Sequence, residues 1–211
     1  MSNSGDHEYG VRGRQSAYTT RNRAALISAA QGVLAEFGPD ATVEQLVAAA
    51  AVSPTTIYNH FGSKENLLRN ALEQAWQDWV TWAYDGRPQG ENFRTMLDVC
   101  RQLFRVGETH PLFAQILRNT LSKPSFVIEA VKGQGVTDLK AIAGASGLDT
   151  TDFDKRMNLW AYCIASMLHG LFVTGEMTPR DADSSLVISL AIRNVGPEEA
   201  RELISSTETN V

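Results

Sequence analysis

Apolar residues recur with the period of an amphipathic helix along most of the chain beyond Tyr18. The first such segment, 20–37, places four apolar residues on one predicted core-facing side: Ile27, Ala30, Leu34 and Phe37. The dipeptide Gly38-Pro39 is a typical helix end. Alternating polar and apolar residues, which would indicate a half-buried strand, do not persist over the length of a sheet. The pattern predicts an all-α fold.

Capping signals divide the next stretch into short helices. Thr42 with Gln45 three residues later is a capping-box pattern. Ser53-Pro54 combines a favoured N-cap with proline at the first helical position. Ser63, after Gly62, is placed to cap a third helix. A long helix followed by two short ones at 42–50 and 54–61 is the layout of a helix-turn-helix, whose second helix enters the major groove of DNA.

Proline and glycine separate further helical segments after the break at 85–88. We predict these segments at 93–106, 111–121, 126–131, 139–143, 153–175 and 184–193. The expected architecture is therefore a small N-terminal three-helix head, at 19–68, and a larger C-terminal helical body at 69–207. Residues 1–18 are polar, contain three glycines and lack periodicity, and we interpret them as a flexible basic arm.

Composition adds a charge asymmetry to this picture. The chain has 211 residues, of which 43% are hydrophobic and 20% charged, which excludes disorder for most of it. Its net charge is -5, yet between Tyr9 and Arg23 there are four arginines and no acid: Arg12, Arg14, Arg21 and Arg23. This basic stretch indicates either one local contact with a polyanion or a merely solvated segment.

Several functional classes are disfavoured by the sequence. There is no apolar run near 18 residues and no apolar region at the N-terminus, so we expect a cytoplasmic protein with no membrane partner. Cys100, His110, Cys163 and His169 lack the spacing of a metal site, so no metal or cofactor is expected. A nucleophile, base and orienting acid cannot be assembled from neighbouring residues, and we therefore predict that the protein is not an enzyme.

The segment from Thr20 to Leu72 resembles the DNA-binding head of the TetR (tetracycline repressor) family. The most specific part is VSPTTIYNHFGSKENLL, residues 52–68, where length, spacing and residue types agree together. The Thr-Arg start and the pairs 29–30, 37–38 and 42–43 also match. The resemblance covers roughly a quarter of the chain. Beyond Leu72 only the helical layout is compatible.

The resemblance implies that Tyr58 and Lys64 contact phosphates and that Thr42 approaches the DNA backbone. Outside this motif, Tyr58 and His60 would be read as packing residues. Lys64 is also favoured on physical grounds, because a helix N-terminus and an ammonium both attract an anion. The complete set of candidate DNA-binding residues is Arg21, Thr42, Ser53, Pro54, Thr55, Thr56, Tyr58, Asn59, His60 and Lys64.

Two positions depart from the family pattern. Ala51 occupies the turn, where the family usually has glycine, and Val47 stands where a small alanine usually faces the recognition helix. A left-handed alanine costs about 1–2 kcal/mol, which glycine avoids. Both departures affect how the two short helices meet, and neither removes a DNA contact.

Aromatic and sulfur-containing side chains accumulate in the predicted body. They are interpreted either as an ordinary core or, as the resemblance favours, as the lining of an effector cavity between helices. The candidate lining residues are Trp79, Cys100, Phe104, Met157, Trp160 and Met167.

The last two long helices are candidates for self-association. The segment 186–192 is apolar nearly all round, which is typical of a helix buried on more than one side. The resemblance implies that these helices pair with their symmetry mates in a four-helix bundle, and the alternative is packing within one subunit. The candidate interface residues are Leu168, Phe172, Ile188 and Ala191.

Taken together, the sequence predicts a homodimeric TetR-type regulator. Its expected partners are a palindromic double-stranded DNA operator, a small apolar effector and a second copy of the chain. We expect a repressor that binds DNA less tightly once the effector is bound. The effector would prefer a conformer in which the two recognition helices are misplaced for successive major grooves. The alternatives are a helical protein-interaction module and a small α-helical enzyme.

Overall fold

The computed structural model describes residues 5–85, 93–131 and 152–191, together with 198, 201 and 202. Within these ranges the regular secondary structure is helical, and the predicted all-α fold is confirmed. The helices are α1 (Gly5–Phe37), α2 (Val43–Ala50), α3 (Pro54–Phe61), α4 (Lys64–Tyr84), α5 (Phe93–Leu103), α6 (Val106–Thr109), α7 (Pro111–Thr120), α8 (Pro124–Val131), α9 (Phe153–His169) and α10 (Pro179–Ala191). The predicted helix at 139–143 lies outside the described residues.

The first helix begins earlier than the sequence pattern predicts. It starts at Gly5, within the segment interpreted from the sequence as a flexible basic arm. Glycine inside a helix costs only about 1 kcal/mol relative to alanine, and lengthening an existing helix needs no new nucleus. A polar segment that contains glycine can therefore continue an existing helix.

The predicted caps of the short helices are confirmed. The Thr42 hydroxyl accepts from the Gln45 N–H at 3.3 Å, and the Gln45 side chain accepts from the Thr42 N–H at 2.7 Å. Ser53 and Ser63 cap α3 and α4 through hydrogen bonds from the N–H groups three residues later. These reciprocal bonds fix where each helix starts, because they satisfy N–H groups that have no partner within the helix.

The core is continuous from the head into the body. Leu26, Ala30 and Leu34 of α1 are buried with Ile57 of α3, whereas Phe37 is 43% exposed, contrary to the predicted stripe. One long helix, α4, packs against α3 and α1 as well as against α5, α7 and α8. The proposed division at 68/69 therefore falls within an unbroken helix.

A second joint connects the end of α1 to the end of α7. The Asn119 side chain donates to the backbone oxygen of Ala35 at 2.6 Å. Gly38 has φ +69°, and a Cβ there would lie 2.8 Å from the backbone oxygen of Asn119. Lys123 forms an ion pair with Asp40. The close approach at Gly38 shows that only glycine fits between the two helix ends.

The last two helices differ from their predicted bounds. The helical path of α9 widens into a π-type turn at Gly170–Thr174, where 153–175 was predicted as one α-helix. Met177 packs directly against Gly170, since a Cβ there would lie 2.7 Å from its sulfur. Helix α10 begins five residues earlier than predicted, at Pro179, because Thr178 and Asp181 exchange hydrogen bonds of capping type. Hydrogen bonds from the Thr178 hydroxyl and then from its backbone N–H lower the pKa of the Asp181 carboxyl.

The turn between α2 and α3 has the strained conformation expected from its sequence. Ala51 has φ 51° and ψ 43°, in the left-handed region. We predict that Ala51→Gly raises the free energy of unfolding by up to about 1 kcal/mol, the relieved strain being partly offset by unfolded-state entropy. Urea unfolding measures this difference.

The matched control is Ala48→Gly, at an exposed position inside α2. Its backbone is right-handed, so the substitution should lower stability by about 1 kcal/mol. A loss at Ala51 equal to that at Ala48 would contradict the strain argument.

Candidate nucleic-acid interface

Helix α3 has one buried and one exposed face. Ile57 is fully buried and Phe61 is 7% exposed, while Tyr58 is 48% exposed. Thr55 and Asn59 are also exposed. An α-helix with its side chains is about 10–12 Å in diameter, which matches the ~12 Å width of the major groove. The exposed side chains carry hydroxyl and amide groups of the kind that bind base edges and phosphates.

Three of the predicted contact residues, Ser53, Pro54 and Thr56, have a local role in the structure. The Ser53 hydroxyl accepts from the Thr56 N–H at 3.2 Å and lies 3.0 Å from the Thr56 hydroxyl. Pro54 occupies the first helical position and has no N–H to satisfy. The three residues therefore build the N-terminus of α3, and they lie at the end of the helix next to the exposed Thr55.

The structure brings the starts of α2 and α4 together. The Lys64 ammonium donates to the backbone oxygen of Ala41 at 2.9 Å and lies 3.6 Å from the Glu65 carboxylate. Ala41 directly precedes Thr42. Lys64 therefore lies close to Thr42, the other candidate for contact with the DNA backbone at this point. The Lys64 side chain keeps 24% exposure, and an ammonium has three N–H donors, so it can hold Ala41 and still meet an anion.

An acidic residue lies beside this pair. Glu44 is in the first turn of α2, and hydrogen bonds from its own backbone N–H and from Thr42 lower the pKa of its carboxyl. The Thr42 hydroxyl is thus engaged with Glu44 and Gln45 within the turn. The helix start is held in a fixed conformation before any ligand arrives.

Arg23 holds α3 in place from α1. Its guanidinium donates to the backbone oxygen of His60 at 3.1 Å and to the Asn70 side chain at 2.6 Å, and it lies 4.3 Å from the centre of the Phe61 ring. Asn66 donates to the neighbouring backbone oxygen of Phe61 at 3.0 Å. The sequence interpretation left the basic stretch open between a polyanion contact and a solvated segment, and it did not anticipate this clamp.

The other basic residues of the N-terminal stretch are placed differently. Arg21 is exposed on α1, and the side chains of Arg12 and Arg14 lie outside the described residues. His60 is half-buried at the end of α3, and its ring lies 6.4 Å from that of Phe61. Arg23 follows Arg21 by two residues, and the sequence contains no local signal that distinguishes a structural arginine from a surface charge.

Most candidate effector-pocket residues are buried together in the body core. They are Trp79, Cys100, Phe104, Trp160 and Met167, whereas the side chain of Met157 lies outside the described residues. Sequence reasoning did not anticipate that Trp79 shares an aromatic cluster with Trp76 and Phe113. The three rings lie 5.6–6.1 Å apart, centre to centre.

The candidate dimer residues are only partly available on the surface. Leu168 is 3% exposed and packs inside its own subunit, and Phe172 is half-buried against the core. The side chains of Ile188 and Ala191 lie outside the described residues. The exposed side of α9 instead carries Leu159 and Tyr162, and the π-type turn that follows it exposes Val173. The sequence interpretation selected none of these three large apolar residues.

An ion cluster fastens α10 to α5. The Asp183 carboxylate accepts from the Arg105 guanidinium at 2.7 Å and lies 3.4 Å from Arg101. Its hydrogen bond raises the pKa of Arg105. Within the described ranges no cluster of three metal-ligating side chains occurs. Among the same residues, none of the helices combines the length and hydrophobicity of a membrane-spanning segment.

The Arg23 clamp predicts a contrast between two arginines of α1. Arg23→Ala should lower the free energy of unfolding by about 1–3 kcal/mol, because it leaves backbone and amide acceptors unpaired. Arg21→Ala, at an exposed position on the same helix, should change stability by less than about 0.5 kcal/mol. Thermal unfolding of the two variants measures the difference, and equal losses would argue against the clamp.

Comparison with known proteins agrees with this geometry. Residues 26–71 match the sequence model of the bacterial regulatory proteins of the tetR family. The structure is similar to that of RolR in complex with resorcinol, at a TM-score of 0.65 and 18% identity, over 90% of this chain and 96% of RolR. No curated protein matches the sequence.

Two further regulators share the fold. A transcriptional regulator from Rhodococcus sp. Rha1 has a TM-score of 0.56 and 18% identity, over 81% of this chain and 95% of that one. A TetR-family regulator from Streptomyces coelicolor A3 has a TM-score of 0.50 and 19% identity, over 89% and 96%. Residues 26–71 are thus a helix-turn-helix DNA-binding domain of the TetR family of bacterial regulatory proteins, carried on an all-α body of the same overall fold.

Proposed function

We propose that the protein is a cytoplasmic, sequence-specific repressor that binds a palindromic DNA operator as a homodimer and releases it on binding a small apolar ligand. In this proposal 19–68 binds DNA and 69–207 binds the ligand and the second subunit. The observation that carries it is the exposed polar face of α3, which is held by buried Ile57 and Phe61 on the opposite side.

The exposed residues of α3 divide into two roles. Thr55 lies at the N-terminal end of α3 and Asn59 nearer its middle, and both are exposed. The hydroxyl of Thr55 and the amide of Asn59 are groups that can pair with a base edge. Tyr58 and Lys64 provide a phenol and an ammonium beside them, suited to phosphate oxygens. Phosphate contacts fix the register of the helix in the groove, and base contacts select the sequence.

A second copy of the chain is the proposed cover for α9. Leu159 and Tyr162 are 54% and 50% exposed, and their spacing of three places them on one side of α9. Val173, in the π-type turn that follows, is 42% exposed. The opposite side, including Trp160 and Ile164, is buried in the subunit. A large apolar stripe on a helix already packed on its other side is typical of a subunit interface. A two-fold axis there would also match a palindromic operator.

Ligand responsiveness is supported by the way the head and body are joined. Helix α4 packs against α3 at its start and carries Trp79 in the body core, and the Gly38–Asn119 contact adds a second connection. A ligand that shifts α4 relative to α7 would therefore move α3. RolR, which shares the fold, has been crystallised with resorcinol, a small aromatic compound. This likeness supports an aromatic core as the ligand site here.

DNA binding is tested with fragments selected from a random pool, and affinity is followed by fluorescence anisotropy over a range of salt. Lys64→Met, which keeps the alkyl stem, should weaken binding to all sequences and lower the salt slope by about one unit per head. Asn59→Ala and Thr55→Ala should instead change the selected motif, by about 1–3 kcal/mol at one base pair.

Gln74→Ala, at an exposed position on α4, is the control and should leave both quantities unchanged. If genomic and selected DNA bind the wild type without salt dependence, or not at all, the proposal fails. The same motif recovered from wild type, Asn59→Ala and Thr55→Ala would exclude base readout by these residues.

The dimer is tested by charge insertion at the exposed face of α9. Tyr162→Glu should convert a species of twice the 23.1 kDa chain mass into a monomer at micromolar concentration, because a buried carboxylate at a two-fold axis is unpaired. Light scattering measures the mass. Leu112→Glu, at a 51% exposed apolar residue of α7, is the matched control and should remain dimeric. A wild-type mass equal to one chain would contradict the interface.

A further inference from the structure

The indole N–H of Trp79 has no acceptor among the described residues, although the side chain is only 1% exposed. Buried polar groups of native proteins nearly always have a hydrogen-bond partner. A buried tryptophan in particular usually directs its N–H to an acceptor. The unpaired indole N–H of Trp79 is therefore available to an acceptor that a ligand brings into the body core.

The nearest rings do not supply that acceptor. Trp76 and Phe113 lie 5.6 Å and 6.0 Å from Trp79, centre to centre, and are tilted by 51° and 34°. A tryptophan or phenylalanine ring has no lone pair to accept a conventional N–H bond. The two rings instead place apolar surface next to the buried Trp79 donor. A mostly hydrophobic lining with a few polar groups is the arrangement that orients a small ligand.

Small residues flank Trp79 on its own helix. Ala75 and Ala83, one turn before and one turn after it, are 8% and 1% exposed and lie on the same side of α4. Alanine side chains restrict the approach to the indole least among residues that keep the helix stable. The sequence therefore places the unpaired Trp79 donor between two small residues on the same side of α4.

We propose that Trp79 is the polar recognition element of the effector site, and that its indole N–H donates to an oxygen acceptor on an aromatic ligand. The inference rests on the proposed ligand-responsive function and narrows its ligand class. The ligand class is phenols, aryl ethers and aryl carbonyl compounds, which carry an acceptor next to a ring. Pure aromatic hydrocarbons of the same size leave the N–H unpaired and bind more weakly.

The test uses the full chain labelled with ¹⁵N-tryptophan, whose four indole signals are separated by NMR. Trp79→Phe identifies the relevant signal by its loss. The probes are phenol, anisole and toluene, which have similar shapes and differ in the acceptor. Phenol and anisole should move the Trp79 signal downfield and bind about tenfold more tightly than toluene, as expected for one neutral hydrogen bond in a buried site.

Two variants separate the donor from the ring cluster. In Trp79→Phe the preference for anisole over toluene should disappear. Trp76→Phe keeps the Trp79 indole N–H and alters a neighbouring ring, so the ratio of anisole to toluene affinity should persist while all affinities fall. Equal affinities for the three probes in the wild type, no binding of any, or an unmoved Trp79 signal would overturn the inference. These wild-type measurements decide the question even if a variant folds poorly.

Failure of this inference can be told apart from failure of the proposed function by adding selected operator DNA. Binding of phenol through Trp79 with no change in DNA affinity would contradict ligand-responsive repression and support the site. Release of DNA by toluene as effectively as by anisole would support the repression and overturn the role of the indole N–H.

Discussion

Burial of Ile57 and Phe61 determines which side of α3 is available to DNA. A helix of eight residues is too short to be stable alone, so its position depends on packing and on the groups at its ends. Arg23 supplies the strongest of these end contacts, since its charged guanidinium binds the backbone oxygen of His60 and lies on the Phe61 ring. Removal of a charged donor from such a site leaves acceptors unpaired, which is why one arginine of the basic stretch is structural.

The same packing connects DNA binding with the body. Helix α4 runs without interruption from its N-cap at Ser63 to Tyr84, so the residues near Lys64 and the core around Trp79 belong to one rigid element. The contact of Gly38 with Asn119 leaves no space for a side chain, and a shift of α7 is therefore transmitted to the end of α1. To reverse an equilibrium from 99:1 to 1:99, a ligand must bind one conformer about 10⁴-fold more tightly. One neutral hydrogen bond, worth about tenfold in affinity, would supply only part of that difference, and apolar contacts that differ between the conformers would have to supply the rest.

Helix α9 links the two proposed activities of the body. Its inner face contributes Trp160 and Met167 to the core, and its outer face exposes Leu159 and Tyr162. A ligand that displaces the inner face of α9 would also change the spacing of two subunits that pair through its outer face. In a two-headed DNA-binding protein, that spacing determines whether both α3 helices reach successive major grooves.

The sequence by itself determined the elements whose signals are local. The capping pair Thr42 and Gln45, the Ser53-Pro54 start of α3 and the left-handed Ala51 are set by residues within four positions of one another, and each is confirmed. Only the tertiary structure decided the role of Arg23, the glycine requirement at Gly38 and the unpaired donor of Trp79. The burial of Leu168, a candidate interface residue that is 3% exposed within its own subunit, was likewise decided by the tertiary structure. Arg23 and His60 are 37 residues apart in the sequence, and Asn119 and Ala35 are 84 apart. Hydrophobic periodicity predicts that a helix has a buried side, but which neighbour covers it is fixed by packing between distant segments.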